Sequence, residues 1–305
     1  MKRNIAILIV VFLASVSSFA QDDEATQKKQ IDKPVSEMFN SGIMMDEQTT
    51  QIPNKNTLEM IIIHRFGLLS SNGIKDLYGI YAPSANTKMG LNYTIMKNLE
   101  LGYGITRKNM YSDFHVKYKI LSQTRNNTIP LDVVVFANMA IDGQNESVYK
   151  TVTEDSTYKF ANRLSYFTQI IIGRKFTNWF SLAVNGSFSH YNTVPGIVEH
   201  IKGMDHDKIG VGILGRIRFS PQSSIIFHYS MPLFIKGLSE NNETTFSPLP
   251  NFGFGYQVAT ATHAFEIFFT TANGIVPQDN YVWNNSDWTK GDFRFGFTIT
   301  RLWEF

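Results

Sequence analysis

Apolar and polar residues alternate with a period of two along most of the chain after residue 56. The clearest run covers residues 85–95, where Leu91 and Tyr93 flank the polar Asn92. Strict alternation over this length predicts a β-strand with one apolar and one polar face. The pattern resumes at residues 99–106 after only two intervening residues, so the two segments are predicted to form a hairpin.

The same alternation predicts twelve strands in all. Connections after even-numbered strands are short or moderate, whereas those after odd-numbered strands are mostly long, with residues 107–113 as the exception. Short turns at one end and long loops at the other are typical of membrane β-barrels. The predicted strands are residues 58–66, 85–95, 99–106, 114–121, 131–139, 164–176, 180–190, 209–219, 225–231, 251–258, 263–271 and 293–305.

Aromatic residues favour a membrane barrel over a soluble one. More than half of them fall on the apolar faces of the predicted strands, and a membrane barrel turns such faces outward. We therefore predict an all-β fold, a transmembrane up-and-down antiparallel β-barrel of about 12 strands with short periplasmic turns and long extracellular loops. Trp303 and Phe305 end the last strand and resemble the signal that such barrels offer to the barrel-assembly machinery.

The first 56 residues have a different character. Residues 1–20 have a basic start, an apolar run and a small-residue exit, the layout of a cleaved secretory signal peptide. Residues 21–56 are polar and weakly periodic, which predicts either a periplasmic tail or a partial plug. Residues 57–305 form the predicted barrel. The expected location is the cell outer membrane, after export.

Composition excludes several kinds of site. The chain has no cysteine, so it has no disulfide scaffold, thiolate metal site or cysteine nucleophile. Its formal charge is +2, and Lys2 and Arg3 lie in the segment predicted to be removed. The expected mature chain is therefore neutral overall, which gives no electrostatic reason to predict a nucleic-acid partner. We predict no cofactor.

Four sequence motifs resemble an uncharacterised outer-membrane β-barrel family of Gram-negative bacteria, a domain of unknown function. They are IHRFG at residues 63–67, DFHVKYK at 113–119, QIIIGRKF at 169–176 and GDFRFGFTITRLWEF at 291–305. The sequence departs from the pattern at residues 260–263, where the family tends toward a glycine-rich turn. The resemblance implies a barrel in the outer membrane and implies no activity.

Alternation also predicts which side chains line the lumen. These charged residues fit either a water-filled passage with mild anion preference or a lumen closed by charge pairs. A twelve-stranded barrel lies between filled eight-stranded and open sixteen-stranded ones, so both interpretations stay open. The predicted lining residues are Lys88, Glu100, His115, Lys117, Lys119, Asp132, Arg163, Arg216, Arg218, Glu266 and Arg294, together with Glu59, Arg65, His228 and Glu304.

Catalytic and metal chemistry have little support. His228 and Ser230 share a strand face with the His-x-Ser spacing of a barrel phospholipase, but no Asn or Asp is identifiable from the sequence as their partner. His190, His200 and His206 lie near carboxylates in one loop without the spacing of a defined zinc site. We therefore predict no catalytic, cofactor or metal residues.

Three classes of function remain. The first is a porin-like channel for small solutes with a weak anion preference. The second is a closed structural or surface-interaction barrel that acts through its extracellular loops. The third and most remote is a barrel hydrolase that uses His228 and Ser230. The expected partners are outer-membrane lipid, the barrel-assembly machinery and, for a channel, small solutes.

Overall fold

Twelve antiparallel strands close into a single barrel in the computed structural model, which describes residues 32–71, 73–150, 158–194, 206–238 and 247–305. Each strand pairs with the next along the chain, and the last pairs with the first. Two short strands, β1 (Ile43–Met44) and β2 (Glu47–Gln48), precede the barrel strands. The barrel strands are β3 (Thr57–Leu68), β4 (Asn86–Met96), β5 (Leu99–Thr106), β6 (Tyr111–Leu121), β7 (Asp132–Ile141), β8 (Leu164–Lys175), β9 (Phe180–Tyr191), β10 (Asp207–Arg218), β11 (Ser223–Leu233), β12 (Asn251–Ala259), β13 (His263–Thr270) and β14 (Arg294–Glu304).

The twelve predicted strands are confirmed, with bounds that differ by up to three residues. β6 starts at Tyr111 instead of 114, which adds Asp113 to the inward-facing positions. The β4–β5 hairpin turns through Lys97 and Asn98, as predicted. Asn98 has a φ of 69°, a left-handed conformation that asparagine tolerates better than most residues.

Connections differ between the two ends of the barrel. The turn end carries the short connections, such as residues 97–98, 176–179 and 260–262. The loop end carries longer ones, such as residues 69–85 and 271–293. We predicted the turn end to be periplasmic and the loop end to be extracellular. Residues 1–20, the predicted signal peptide, lie outside the described residues.

Two short strands lie inside the barrel and are not part of its wall. β1 (Ile43–Met44) and β2 (Glu47–Gln48) pair as a small hairpin near the start of the described chain. Of two short helices, α1 (Ser147–Lys150) lies in a loop at the loop end, and all side chains of α2 (Pro277–Val282) are buried. None of the helices in the described part of the chain is long and apolar enough to span a bilayer.

The outer face of the wall is apolar along most of its height. Met89, Leu91, Tyr103 and Ile267 are each more than two-fifths exposed, while their polar neighbours in the strands point inward. This is the arrangement expected of a barrel surrounded by lipid.

Candidate functional site

The lumen is occupied by a stretch of the chain that precedes the first barrel strand. We call it the lumenal segment, residues 38–50; all of it is buried except Asn40 and Gln48, which are partly buried. These residues belong to the stretch for which a tail or a partial plug had been predicted. The lumen therefore contains the candidate functional site.

Asp46 joins the lumenal segment to three strands at once. Its carboxylate accepts a hydrogen bond from the Arg65 guanidinium on β3 and another from the Thr270 hydroxyl on β13. It also lies 3.0 Å from Nε2 of His228 on β11. The side chains of Arg65 and Asp46 are each only 1% exposed, so this ion pair is removed from water. A buried guanidinium without such a partner would be strongly destabilising.

Glu47 attaches the segment to the opposite part of the wall. Its carboxylate accepts hydrogen bonds from the amides of Gln169 on β8 (3.1 Å) and Asn185 on β9 (3.2 Å). The Tyr281 hydroxyl of α2 donates to the same carboxylate at 3.1 Å. Burial, followed by the nearby negative charge of Glu47, raises the pKa of Tyr281 well above its usual value. The tyrosine is therefore a neutral donor at any physiological pH.

Three further contacts involve charged wall residues. Lys117 donates to the Gly42 carbonyl at 2.6 Å, and its side chain is fully buried. The Met45 backbone N–H donates to Glu266 at 2.9 Å. The Arg216 guanidinium donates to the Asn40 side-chain oxygen. The lumenal segment thus supplies hydrogen-bond partners to charges that would otherwise require water.

A cluster of apolar side chains inside the barrel completes the contact between the lumenal segment and the wall. Met38, Phe39, Met44 and Met45 of the lumenal segment pack in one cluster with inward-facing wall side chains. Burying four large apolar side chains contributes about 1.5–3 kcal/mol each. The wall residues of this cluster are Val134, Ile171, Ala183, Leu214, Ile226 and Phe268.

Two inward glycines make room for what lies in the lumen. A Cβ on Gly173 would lie 2.7 Å from the Met38 sulfur, and one on Gly210 would lie 2.2 Å from the Tyr281 ring. Neither position could carry a larger side chain without displacing its neighbour. Between the lumenal segment, the wall and Ile275 there remains a cavity of about 20 Å³, enough for roughly one water molecule.

The loop end of the lumen is covered by the β13–β14 connection. Asp279 of α2 accepts hydrogen bonds from the hydroxyls of Tyr111 (3.2 Å) and Tyr191 (2.5 Å) on the wall. The α2 side chains are therefore fixed across the lumen from β6 to β9. Residues from both the N-terminal and the C-terminal parts of the chain fill the barrel.

Most residues predicted to line the lumen point into it and are paired. Lys88 lies 2.7 Å from Asp113, Lys119 lies 3.2 Å from Asp132, and His115 lies 3.8 Å from Glu100. Arg294, which is buried, donates to the Ser286 hydroxyl at 2.7 Å. Glu59 on β3 is also buried and accepts from the Asn92 amide at 2.9 Å.

Three of the predicted lining residues lie outside the lumen or at one of its ends. Arg163 precedes β8 and donates to the carbonyls of Asp142 and Gln144 in a loop at the loop end. Glu304 is exposed at the turn end and accepts from the Asn54 amide at 3.1 Å. Arg218 is partly exposed and follows Arg216 by two residues.

The residues weighed for catalysis and for metal binding have other partners. His228 and Ser230 are both fully buried, and no hydrogen bond in the described part of the chain joins them. Instead, His228 contacts Asp46. His190 lies 2.6 Å from Asp207, and His200 lies outside the described residues. No group of potential metal ligands occurs among the described side chains.

Sequence reasoning missed Asp46, Glu47, Asp113 and the apolar cluster in the lumen. A signal for the cluster was present: apolar residues occupy both faces of β7 at residues 133–136 and of β8 at residues 170–172. A strand that is apolar on both faces is buried on both faces. The lumen behind it therefore had to contain something apolar.

Comparison with known proteins agrees with the barrel. Residues 39–303 match the family described as "Membrane bound beta barrel domain (DUF5777)". No curated protein sequence matches the chain. Among solved structures, the NanC porin is similar over 80% of this chain and 98% of its own, with 8% identity and a TM-score of 0.48. An outer membrane channel from Pseudomonas putida F1 is similar over 83% and 97%, with 11% identity and a TM-score of 0.49. The strand pairing described above defines the fold independently of these likenesses.

Proposed function

The chain belongs to this family of membrane-bound β-barrel domains, and on that premise we propose that it is an outer-membrane channel closed by its own lumenal segment. Displacement of residues 38–50, together with movement of α2, which loses the Glu47 acceptor of Tyr281 when the segment leaves, would open a passage for small solutes with a weak preference for anions. The single observation that carries this proposal is the way Asp46, Glu47 and their neighbours occupy the lumen and pair with the wall.

The nature of the wall supports a removable closure. Each contact described above between the segment and the wall involves a wall side chain, and the segment's own hydrogen-bonded hairpin is not part of the barrel sheet. Leaving the lumen would therefore break no inter-strand ladder. The wall beneath it carries Arg65, Lys117, Glu266 and Arg216, which are the kinds of side chains that line water-filled pores.

The anion preference would follow from the loss of the two carboxylates of the lumenal segment from the lumen. Asp46 and Glu47 are the carboxylates of residues 38–50. Their departure would leave Arg65 and Lys117 facing water in a wall where cations outnumber carboxylates. A wall of net positive charge attracts anions, with an effect that salt screens.

The test is conductance in planar bilayers. The full chain is expected to be silent or to open briefly, whereas a variant lacking residues 32–50 should conduct and pass chloride more readily than potassium at low salt. Correct folding of both proteins is checked by heat-modifiable migration on gels. A correctly folded deletion variant that stays silent, even when Asp279→Ala removes the acceptor that holds α2 to Tyr111 and Tyr191, would refute the channel and favour the closed barrel that acts through its loops.

A further inference from the structure

The connection between β3 and β4 exposes an unusual number of large apolar side chains at the loop end. The exposed fractions of Ile74 and Tyr81 are each 77%, and that of Tyr78 is 56%. Leu77 and Ile80 are also more than two-fifths exposed. In water, such a cluster would be a liability, so its exposure indicates a contact with another apolar surface.

The conformation of this connection keeps those side chains exposed. Asp76 is buried and accepts hydrogen bonds from the Gly79 N–H (3.0 Å) and the Ser71 hydroxyl (2.5 Å). Leu77 and Tyr78 adopt φ values of 50° and 54°, which bulky residues rarely do. Backbone held in such a conformation is found preferentially at ligand-binding and other functional sites.

A groove lies on the adjacent outer face of the wall. Its volume is about 350 Å³, within the range of small-molecule sites. The groove lies beside β4, β5 and β6 where these strands reach the loop end of the barrel. The apolar part of its lining comes from Met89, Ile105 and Met110. All three side chains are about half exposed in the protein alone, so the groove is open toward the membrane.

Positive charge marks the upper edge of the groove. Arg107 lines it and donates through Nη1 to the carbonyls of Pro83 and Ala85, which join it to the β3–β4 connection. Lys108 follows directly, and Lys75 lies in the connection itself. Among the described ion pairs none involves these three cations. The remaining donors of Arg107 are thus available to an anion from outside the chain.

We propose that this rim, formed by residues 74–81, the groove and Arg107–Lys108, binds lipid A, the phosphorylated glycolipid of the outer leaflet. Its acyl chains would lie along the groove and against the exposed apolar side chains. Its phosphate would accept hydrogen bonds from Arg107, whose planar guanidinium suits phosphate geometry. Both features occur at the loop end, the side predicted to meet that leaflet.

Native mass spectrometry of the full chain in detergent tests the assignment. The purified protein is titrated with lipid A, with dephosphorylated lipid A and with phosphatidylglycerol. The rim predicts that lipid A binds at least tenfold more tightly than either of the other two lipids. Equal binding of phosphatidylglycerol would refute the proposal, because any anionic lipid would then suffice.

Variants locate the site. Arg107→Ala/Lys108→Ala should weaken lipid A binding at least tenfold, and Tyr78→Ser/Tyr81→Ser should also weaken it. The matched control is Lys97→Ala, which removes an exposed cation from the other end of the same β4–β5 hairpin and should change nothing. Heat-modifiable migration verifies folding of each variant. Binding that survives in Arg107→Ala/Lys108→Ala, or that millimolar inorganic phosphate abolishes, would overturn the proposal.

Discussion

Replacing Asp46 by alanine should release the lumenal segment while leaving the barrel intact. The carboxylate is the acceptor for buried Arg65 and for the Thr270 hydroxyl, and its Oδ2 lies 3.0 Å from His228 Nε2. Removing one partner of a buried ion pair costs about 3–5 kcal/mol because the remaining charge is uncompensated. That cost falls on the docked state, since water can hydrate Arg65 once the segment has left.

The size of the effect follows from this energy. Each 1.4 kcal/mol changes an equilibrium about tenfold, so Asp46→Ala should raise the ratio of undocked to docked segment by about a hundredfold or more. The double variant Asp46→Ala/Arg65→Met should recover much of the docking, because it removes the unpaired charge as well as its partner.

The assay uses the absence of cysteine from the chain. Met45, which is fully buried, is replaced by cysteine in the otherwise unchanged protein and in Asp46→Ala. Each protein is then labelled with a water-soluble maleimide. Labelling should be about a hundredfold faster with Asp46→Ala than without it, and Asp287→Ala, at a partly exposed carboxylate of the loop end, serves as the control. Equal labelling rates in correctly folded proteins would refute the reasoning.

Three other predictions concern the wall. Leu91→Arg places a charge on the lipid face at a cost of about 2–4 kcal/mol near the midplane and should lower the yield of folded protein, whereas Asn92→Arg faces the polar lumen beside Glu59 and should be milder; equal yields would mean that the faces are misassigned. Deleting Phe305 should reduce heat-modifiable protein in the membrane if the terminal aromatic is an assembly signal, and unchanged assembly would contradict that role. In the variant lacking residues 32–50, the anion preference should invert, as measured by reversal potentials, when four cations are exchanged for glutamate: Lys117, Lys119, Arg216 and Arg218.

The strands could be predicted because their cause is local. Lipid on one side and a polar lumen on the other impose a period of two that any window of the sequence displays. The same rule predicted that Lys88, Glu100 and Asp132 point inward. The start of β6 was placed late because Ser112 and Asp113 weaken the alternation at its outer end.

The contents of the lumen could not be predicted in the same way. Asp46 contacts residues 182 and 224 positions away, and Glu47 contacts one 234 positions away. No local pattern encodes contacts of that kind, so a tail and a plug remained equally consistent with residues 21–56. The Arg163 side chain was assigned to the lumen because β8 was extrapolated by one residue beyond its start at Leu164.

The inward-facing glycines are consistent with a filled lumen but do not by themselves predict one. Tight curvature of the sheet explains a small residue as readily as a close neighbour does. Gly173 and Gly210 have such neighbours in Met38 and Tyr281, whereas Gly90 has only ordinary contacts about its missing Cβ. The sequence does not distinguish these two situations, because both require only the absence of a side chain.

A reversible tether measures most directly whether the lumenal segment is the gate. A Cβ on Gly173 would lie 2.8 Å from the Thr50 Cγ2 and 2.7 Å from the Met38 sulfur, so cysteines at 50 and 173 are combined with Met38→Ala, which removes the sulfur that a side chain at 173 would displace. In the Asp46→Ala/Met38→Ala background, the proposed gate predicts that the oxidised Thr50→Cys/Gly173→Cys protein is closed, because the tether keeps the segment at high effective concentration. Reduction should open the same channels in the same bilayer. Equal conductance before and after reduction would contradict the account.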